Sequence, residues 1–163
     1  LIDCGLCYKV GRVTKGGIPL KAYQDLPAFK LYLVDVGLLA AMTDLDAKTL
    51  LRGNAIFTEF KGALTEQYVC QQLVSDLTAV PYYWSAESSS GEVDFVLQHG
   101  GNVIPLEVKA EENLQAKSLK SFVSGSGLPF GVRASMSDFR RQDRLINLPL
   151  YALSQLWETC DTF

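Results

Sequence analysis

The sequence predicts an α/β fold in which a mixed β-sheet is flanked by helices. A long segment, 56–77, has the apolar periodicity of an amphipathic helix. Three β-rich segments with glycine- and serine-rich turns follow it, and a helix, two strands and a last helix complete the order. The chain has 163 residues, 48% of them hydrophobic. It is therefore long enough to bury its own core without a disulfide or a metal.

The amino-terminal third is predicted to form short elements. Apolar runs on either side of a Gly-Gly turn indicate a small hairpin, and an aspartate before an apolar run is suited to cap a helix. The predicted elements are a hairpin of Val10–Thr14 and Ile18–Tyr23, a strand at Phe29–Val34, a helix at 36–42 capped by Asp35, and a short polar helix or loop at 44–54.

The rest of the chain alternates between helical and strand patterns. Gly100-Gly101 is a strong hairpin turn, and proline at 149 suits the start of a helix. The predicted order is a helix at 56–77, strands at 82–84, 92–98 and 103–110, a helix at 114–123, strands at 129–134 and 144–148, and a helix at 150–157.

One carboxylate stands out on the long helix. Glu66 falls in the middle of the apolar stripe of that helix, which consists of Gly62, Ala63, Val69, Cys70, Leu73 and Leu77. A carboxylate at such a position is costly unless something pairs with it. We therefore expect Glu66 to lie at the inner edge of a polar site.

The hairpin turn fixes which residues face each other. If the turn is centred between Gly100 and Gly101, Asp94 lies directly opposite Glu107, with their Cβ atoms about 5 Å apart. Alternation then puts Val93, Phe95 and Leu97 on one face with Ile104, Leu106 and Val108. It puts Asp94, Glu107 and Lys109 on the other face, with Glu92 beside Lys109.

This pattern predicts a site for a divalent cation and a phosphate. Two facing carboxylates repel each other, and a cation between them reverses the sign of that interaction. Mg²⁺ usually takes one or two carboxylates, with water and phosphate filling its remaining positions. Lys109 can hold a phosphate or orient a water, and Glu66 can supply a third carboxylate. The plainer alternative is a surface Glu92–Lys109 ion pair with solvated acids nearby.

The motifs resemble a known nuclease superfamily. Gly91-Glu92-Val93-Asp94-Phe95-Val96 followed by Pro105-Leu106-Glu107-Val108-Lys109 is similar to the PD-(D/E)XK signature. The resemblance implies a restriction-endonuclease-like core and Mg²⁺- or Mn²⁺-dependent hydrolysis of phosphodiester bonds in DNA. It implies that Asp94, Glu107 and Glu66 bind the metal and that Lys109 is the catalytic lysine.

A narrower resemblance covers nearly the whole chain. The residues Lys30-Leu31-Tyr32-Leu33-Val34-Asp35-Val36-Gly37-Leu38-Leu39 and Gly62-Ala63-Leu64-Thr65-Glu66, with the nuclease-like signature, resemble the carboxy-terminal domain of an uncharacterised bacterial and archaeal AAA-type ATPase family. The resemblance implies a winged-helix remnant and connecting segment at 1–54 and a nuclease-like domain at 55–163. Because the sequence opens at Leu1, we expect a fragment that lacks the ATPase module, through which alone ATP would be bound.

The partners implied are DNA, the ATPase module of the same full-length chain and a second copy of the chain, with no membrane. The net charge of −3 is unusual for a nucleic-acid binder. The segment from Lys109 to Arg144, however, contains seven lysines and arginines and only four acids. That stretch is either a solvated face or a phosphate-binding patch. A non-catalytic domain that couples the ATPase to DNA or to a protein therefore stands as the alternative function.

Other site chemistries have little support in the sequence. Cys4 and Cys7 have C-x-x-C spacing, but no second pair completes a zinc site. No secretory signal is present, and the longest apolar run, 31–42, is interrupted by Asp35 and is shorter than the ~20 residues of a membrane helix. These observations predict a cytoplasmic location.

Overall fold

A computed structural model describes residues 1–44, 58–87, 91–110 and 115–162. The short polar helix or loop predicted at 44–54 lies outside these ranges, apart from its first residue. So do positions 56 and 57 of the predicted long helix.

The described residues form eight strands, four α-helices and two short 3-10 helices. The strands are β1 (Cys7–Val13), β2 (Gln24–Leu33), β3 (Tyr82–Ser85), β4 (Glu92–His99), β5 (Asn102–Lys109), β6 (Gly131–Ser135), β7 (Arg140–Gln142) and β8 (Leu145–Pro149). The α-helices are α1 (Val36–Met42), α2 (Thr58–Ser75), α3 (Lys117–Gly125) and α4 (Leu156–Asp161), and the 3-10 helices are Leu20–Tyr23 and Leu150–Gln155.

All eight strands belong to one mixed sheet with the order β2-β1-β3-β4-β5-β6-β8-β7. Neighbours β1 and β3, β5 and β6, and β6 and β8 run parallel, whereas the other adjacent pairs are antiparallel. The predicted α/β class, a mixed sheet flanked by helices, is confirmed.

The sheet separates two apolar cores. One core lies under α2, the second 3-10 helix and α4, and it includes Val69, Leu73, Phe95, Leu106 and Ile146. The other lies under α3 and includes Leu119 and Phe122 of that helix with Val93, Val96 and Val103 of the sheet. We call these the α2 side and the α3 side of the sheet.

The cap of α1 was predicted correctly. The Asp35 backbone is extended, and its Oδ1 accepts the Leu38 N–H at 2.9 Å. The carboxylate thereby satisfies one of the amides that a helix leaves unpaired at its start.

The predicted amino-terminal hairpin is wrong in its second strand. Leu20–Tyr23 is a 3-10 helix, and β2 begins only at Gln24. The apolar signal at Leu20 reflects burial, because this side chain is 1% exposed in the α3-side core. Its backbone N–H donates to the Gln98 side chain at 3.2 Å instead of to a strand.

The carboxy-terminal elements also differ from the prediction. The predicted helix at 150–157 divides into a 3-10 helix and α4, and the edge strand β7 was missed. All three residues of β7 are polar and exposed, so no apolar alternation marks it.

The division of the chain at residue 54 stays a prediction. The two strands before it, β1 and β2, are hydrogen-bonded into the same sheet as the strands that follow it. No helix within the described ranges is long and apolar enough to span a membrane.

Candidate functional site

The candidate site is built on the β4–β5 hairpin. The predicted register is confirmed where the two strands pair, from His99 with Asn102 to Phe95 with Leu106. Gly100 and Gly101 have positive φ angles of 56° and 80°, as the two central residues of a type I′ turn require. The turn therefore determines which residues face each other further along the strands.

A bulge in β4 changes the direction of one side chain. Tyr82 pairs with Val96 and Trp84 with Val93, so β4 has one more residue than β3 over this span. Val93 consequently packs on the α3 side, while Phe95 lies on the α2 side. The prediction that Val93 shares a face with Phe95 is therefore wrong, because the bulge interrupts the alternation.

Asp94 lies at this bulge, one residue beyond the pair of Phe95 and Leu106 that ends the β4–β5 ladder. Its Oδ2 accepts the backbone N–H of Val108 at 2.7 Å. Burial raises the Asp94 pKa to about 7, and the charge of Glu66 acts in the same direction. The bond from Val108 and the charge of Lys30 oppose this rise only in part. Asp94 is thus held at the backbone between Glu107 and Lys109.

Glu107 and Lys109 project from β5 on the α3 side, because Leu106 and Val108 pack on the α2 side. The Lys109 Nζ lies 2.5 Å from Oε1 of Glu107. The Glu107 residue is 6% exposed, and its Oε2 is buried without a hydrogen-bond partner in the described part of the chain. A buried carboxylate oxygen of this kind is costly to leave unsatisfied.

Asp94 and Glu107 are linked through the backbone of β5. Asp94 contacts the amide adjacent to Glu107, and the charge of Glu107 contributes to the raised Asp94 pKa. The charges of Lys30 and Glu66 also act on the Asp94 pKa. The alternation that predicted a single face for Asp94, Glu107 and Lys109 is interrupted by the bulge at Asp94.

Glu66 on α2 is paired instead of being buried in the apolar stripe. Its side chain is 32% exposed, and Oε2 accepts the hydroxyl of Tyr32 at 3.0 Å. The Lys30 Nζ lies 3.8 Å from the same oxygen. Burial and the Glu66 charge together raise the pKa of Tyr32, which keeps its hydroxyl protonated as a donor. Glu66 reaches Asp94 through its charge.

Lys30 is a site residue that the charge pattern of the sequence did not reveal. Its ammonium contacts Glu92 directly, and its Nζ lies 5.2 Å from the centre of the Tyr83 ring. Burial lowers the Lys30 pKa, but the bond to Glu92 and the charge of Glu66 outweigh this and raise it. The alternative of a surface Glu92–Lys109 ion pair is not formed, because Glu92 pairs with Lys30 and Lys109 pairs with Glu107. In the sequence, Lys30 was marked only by the resemblance of residues 30–39 to the carboxy-terminal domain of the AAA-type ATPase family.

A second cluster of polar side chains lies across the strands β5, β6 and β8 on the α3 side. Glu107 pairs in register with Arg133, and Arg133 with Asn147. The Arg133 Nε donates to Oδ1 of Asn147 at 3.0 Å, and the Ser135 hydroxyl donates to the same oxygen at 2.8 Å. Burial lowers the pKa of Arg133, whereas the charge of Glu107 raises it. The sequence prediction did not identify Arg133 and Asn147 as site residues, although each is a polar residue within a largely apolar strand.

The donor set fits a cation held by few protein ligands. Among the described residues, no three acidic, histidine or cysteine side chains are grouped so that they could hold a metal together. Asp94 and Glu107 offer two carboxylates, and one Glu107 oxygen lacks a hydrogen-bond donor. Two carboxylates with water and phosphate are the set that Mg²⁺ ordinarily takes.

Comparison with known proteins identifies the family but no relative of known function. No curated protein and no solved structure matches the chain. The model of one family, described as a domain of unknown function (DUF4143), matches residues 61–153, which is more than half of the 163 residues. The matched segment contains Glu66, Asp94, Glu107 and Lys109 of the candidate site. The chain belongs to the DUF4143 family.

Proposed function

We propose that this chain is a PD-(D/E)XK nuclease-like domain of an AAA-type ATPase, and that it hydrolyses phosphodiester bonds in DNA with Mg²⁺ or Mn²⁺. The observation that carries the proposal is the Glu107 carboxylate. It is buried, one of its oxygens is paired with Lys109, and the other has no donor among the described residues. A buried acceptor without a donor is suited to a cation, and Asp94, bonded to the amide of the residue after Glu107, offers a second carboxylate.

The order of elements supports the same proposal. From α2 onward the chain runs helix, three strands, helix and strand, which is the core order of the superfamily that the motifs resemble. The acid and lysine of Glu107-Val108-Lys109 lie on the middle strand of the sheet segment β4-β5-β6, and Asp94 lies on the preceding strand.

Each residue has a distinct role in this proposal. Asp94 and Glu107 would hold the cation, which when bound polarises a phosphate oxygen and lowers the pKa of a water. Lys109, held by Glu107, would bind the phosphate or orient the attacking water. Glu66 stays with Tyr32 and Lys30, and it acts on the site through its charge on Asp94.

The test combines metal binding and turnover. Millimolar Mn²⁺ should raise the thermal midpoint of the wild-type protein, because a ligand that binds only the folded state stabilises it by about 2.7 kcal/mol at a hundredfold excess over Kd. Asp94→Asn and Glu107→Gln should lose most of this response and all cleavage of plasmid DNA. Lys109→Ala should keep the metal response and lose cleavage.

Glu87→Gln is the matched control, since Glu87 is exposed near the end of β3 and has no role in the proposed site. It should behave as the wild type in both assays. Identical midpoints for wild type and Asp94→Asn, with and without Mn²⁺, would contradict the metal site.

A non-catalytic DNA- or protein-interaction domain, coupled to the same ATPase, is the second candidate. The observation that favours it is the pairing of Glu66 with Tyr32 and Lys30, which leaves two acids near β5 instead of three. Binding of DNA without metal-dependent cleavage would favour this function over hydrolysis.

A further inference from the structure

Two large apolar side chains are exposed in the turn that follows β6. Met136 is 63% exposed and Phe139 is 50% exposed. Both exposed arginines of β7, Arg140 and Arg141, come directly after them. The guanidinium of Arg141 lies 5.8 Å from the centre of the Phe139 ring. An exposed aromatic ring beside cations is a combination that single-stranded nucleic acids use.

The turn is fixed from below by buried polar groups. Asn147 is 1% exposed, and its Nδ2 donates to the carbonyl oxygens of Ser137 at 3.0 Å and Asp138 at 2.9 Å. Ser135 is fully buried, and its hydroxyl accepts the Ser137 N–H at 3.1 Å. Buried polar side chains are costly unless they are hydrogen-bonded, and here their bonds fix the backbone of an exposed turn. Phe139 therefore follows a backbone segment whose conformation is held by these hydrogen bonds.

The turn begins beside the candidate site. Ser135 pairs in register with Lys109 across the parallel strands β5 and β6. Arg140 pairs with Asn147, and its charge acts on the buried Arg133. Lys109 of β5 and Arg140 of β7 are thus separated by the strands β6 and β8. Asp138 is the acid within the turn itself, and it is exposed.

Protection of the sheet edge explains only part of this surface. Charged residues on a short edge strand discourage pairing with other chains, which accounts for Arg140 and Arg141. It does not account for an exposed methionine and phenylalanine in the preceding turn. Nor does it account for two buried side chains that hold this turn in place.

We infer that the Met136–Arg141 surface binds single-stranded nucleic acid, with a base on the Phe139 ring and phosphates on Arg140 and Arg141 at the sheet edge. This inference rests on the proposed function and names its substrate as a single strand. A ring face accepts any base, so little sequence preference is expected. Bases in a duplex are stacked on one another, and a duplex therefore offers no free base for Phe139.

The experiment is fluorescence anisotropy with a labelled single strand of mixed sequence, about 20 nucleotides long, and its duplex, both without divalent metal. Phe139→Ala should weaken single-strand binding about tenfold, because stacking on one aromatic side chain contributes ~1–3 kcal/mol. Phe139→Trp should restore it. Arg140→Gln should reduce the slope of log affinity against log salt by roughly 0.7, as expected for one lost phosphate contact.

Phe29→Ala is the matched control. Phe29 is 45% exposed and lies under the Lys9 ammonium at 4.4 Å, but it is on β2 at the opposite edge of the sheet. A thermal melt of each variant establishes that it is folded, and Met136→Ser is measured in place of Phe139→Ala if that variant is not. Equal losses in Phe139→Ala and Phe29→Ala, or tighter binding of the duplex, would overturn the inference.

The outcomes separate this inference from the function it rests on. Binding of the single strand that depends on Phe139, without cleavage by the metal-loaded protein, would support the surface and refute hydrolysis. Cleavage by wild type that is unchanged in KM and kcat in Phe139→Ala would support hydrolysis and overturn the surface. Concentration-dependent dimerisation lost in Phe139→Ala, with no binding of the single strand, would assign the surface to a second copy of the chain.

Discussion

At the scale of single residues, the site depends on how its acids are satisfied. Glu66 is satisfied by Tyr32 and Lys30, whereas Asp94 is satisfied by a backbone amide. Glu107 shares one oxygen with Lys109 and leaves the other without a donor among the described residues. The three acids therefore differ in which oxygens remain available to a ligand. Glu107 is the one with a buried oxygen that lacks a donor among the described residues.

Asp94→Asn should stabilise the metal-free protein at pH 8 but not at pH 5. The Asp94 pKa rises from 3.8 to about 7 on folding, so the folded protein binds this proton more tightly. The stability this proton contributes is present below the unfolded pKa and is lost as pH rises through about 7. Asparagine carries no charge and its Oδ1 can still accept the Val108 N–H. Urea unfolding across pH 5–8 measures the difference.

Glu87→Gln, which removes an exposed carboxylate, is the control for this measurement. Its stability relative to wild type should not change between pH 5 and pH 8. An Asp94→Asn protein that is as stable as wild type at both pH values would show that the carboxylate is solvated.

At the scale of elements, the hairpin was the most predictable part of the site. Two glycines fix the turn, and the register of five pairs follows from it. The bulge at Asp94 was not predictable, because it depends on the pairing of β4 with β3 and not on β4 alone. Arg133 and Asn147 were missed for a related reason. Strands buried on both faces carry no alternation that would mark an inward polar residue.

Asn147→Ala should destabilise the protein by roughly 2–3 kcal/mol, because it removes one hydrogen-bond partner of Arg133 and the donor to two turn carbonyls in a buried position. Chemical unfolding measures this loss. Asn102→Ala, at an exposed position of β5, is the control and should cost little. A small effect of Asn147→Ala would mean that water replaces the amide and that the turn is not fixed by it.

At the scale of the whole molecule, the family match covers fewer residues than the folded sheet does. The match begins at residue 61, but β1 and β2 form one end of the sheet and pack Val10 and Tyr32 into the α2-side core. The α/β class was predictable from the order of elements. The position of β1 and β2 in the sheet was not, because β1 pairs with β3, which lies far from it in sequence.

A chain that begins at residue 58 should therefore fail to fold cooperatively. It would expose the edge of β3 and the apolar residues that Val10 and Tyr32 cover. Circular dichroism melting and size-exclusion chromatography measure the effect. Removal of residues 1–5, which are all exposed, is the control and should leave the melt unchanged. A cooperative melt of the shorter chain would show that the hairpin of β1 and β2 is an accessory to the fold.

The hydrogen bond from the Val108 amide to Asp94 makes one backbone amide responsive to the state of the Asp94 carboxylate. That amide donates its hydrogen bond to the Asp94 oxygen. A cation that draws the carboxylate away would free the amide, and so would a change in its protonation. Binding of a cation at the proposed site would therefore change the hydrogen-exchange rate of Val108, independently of any turnover.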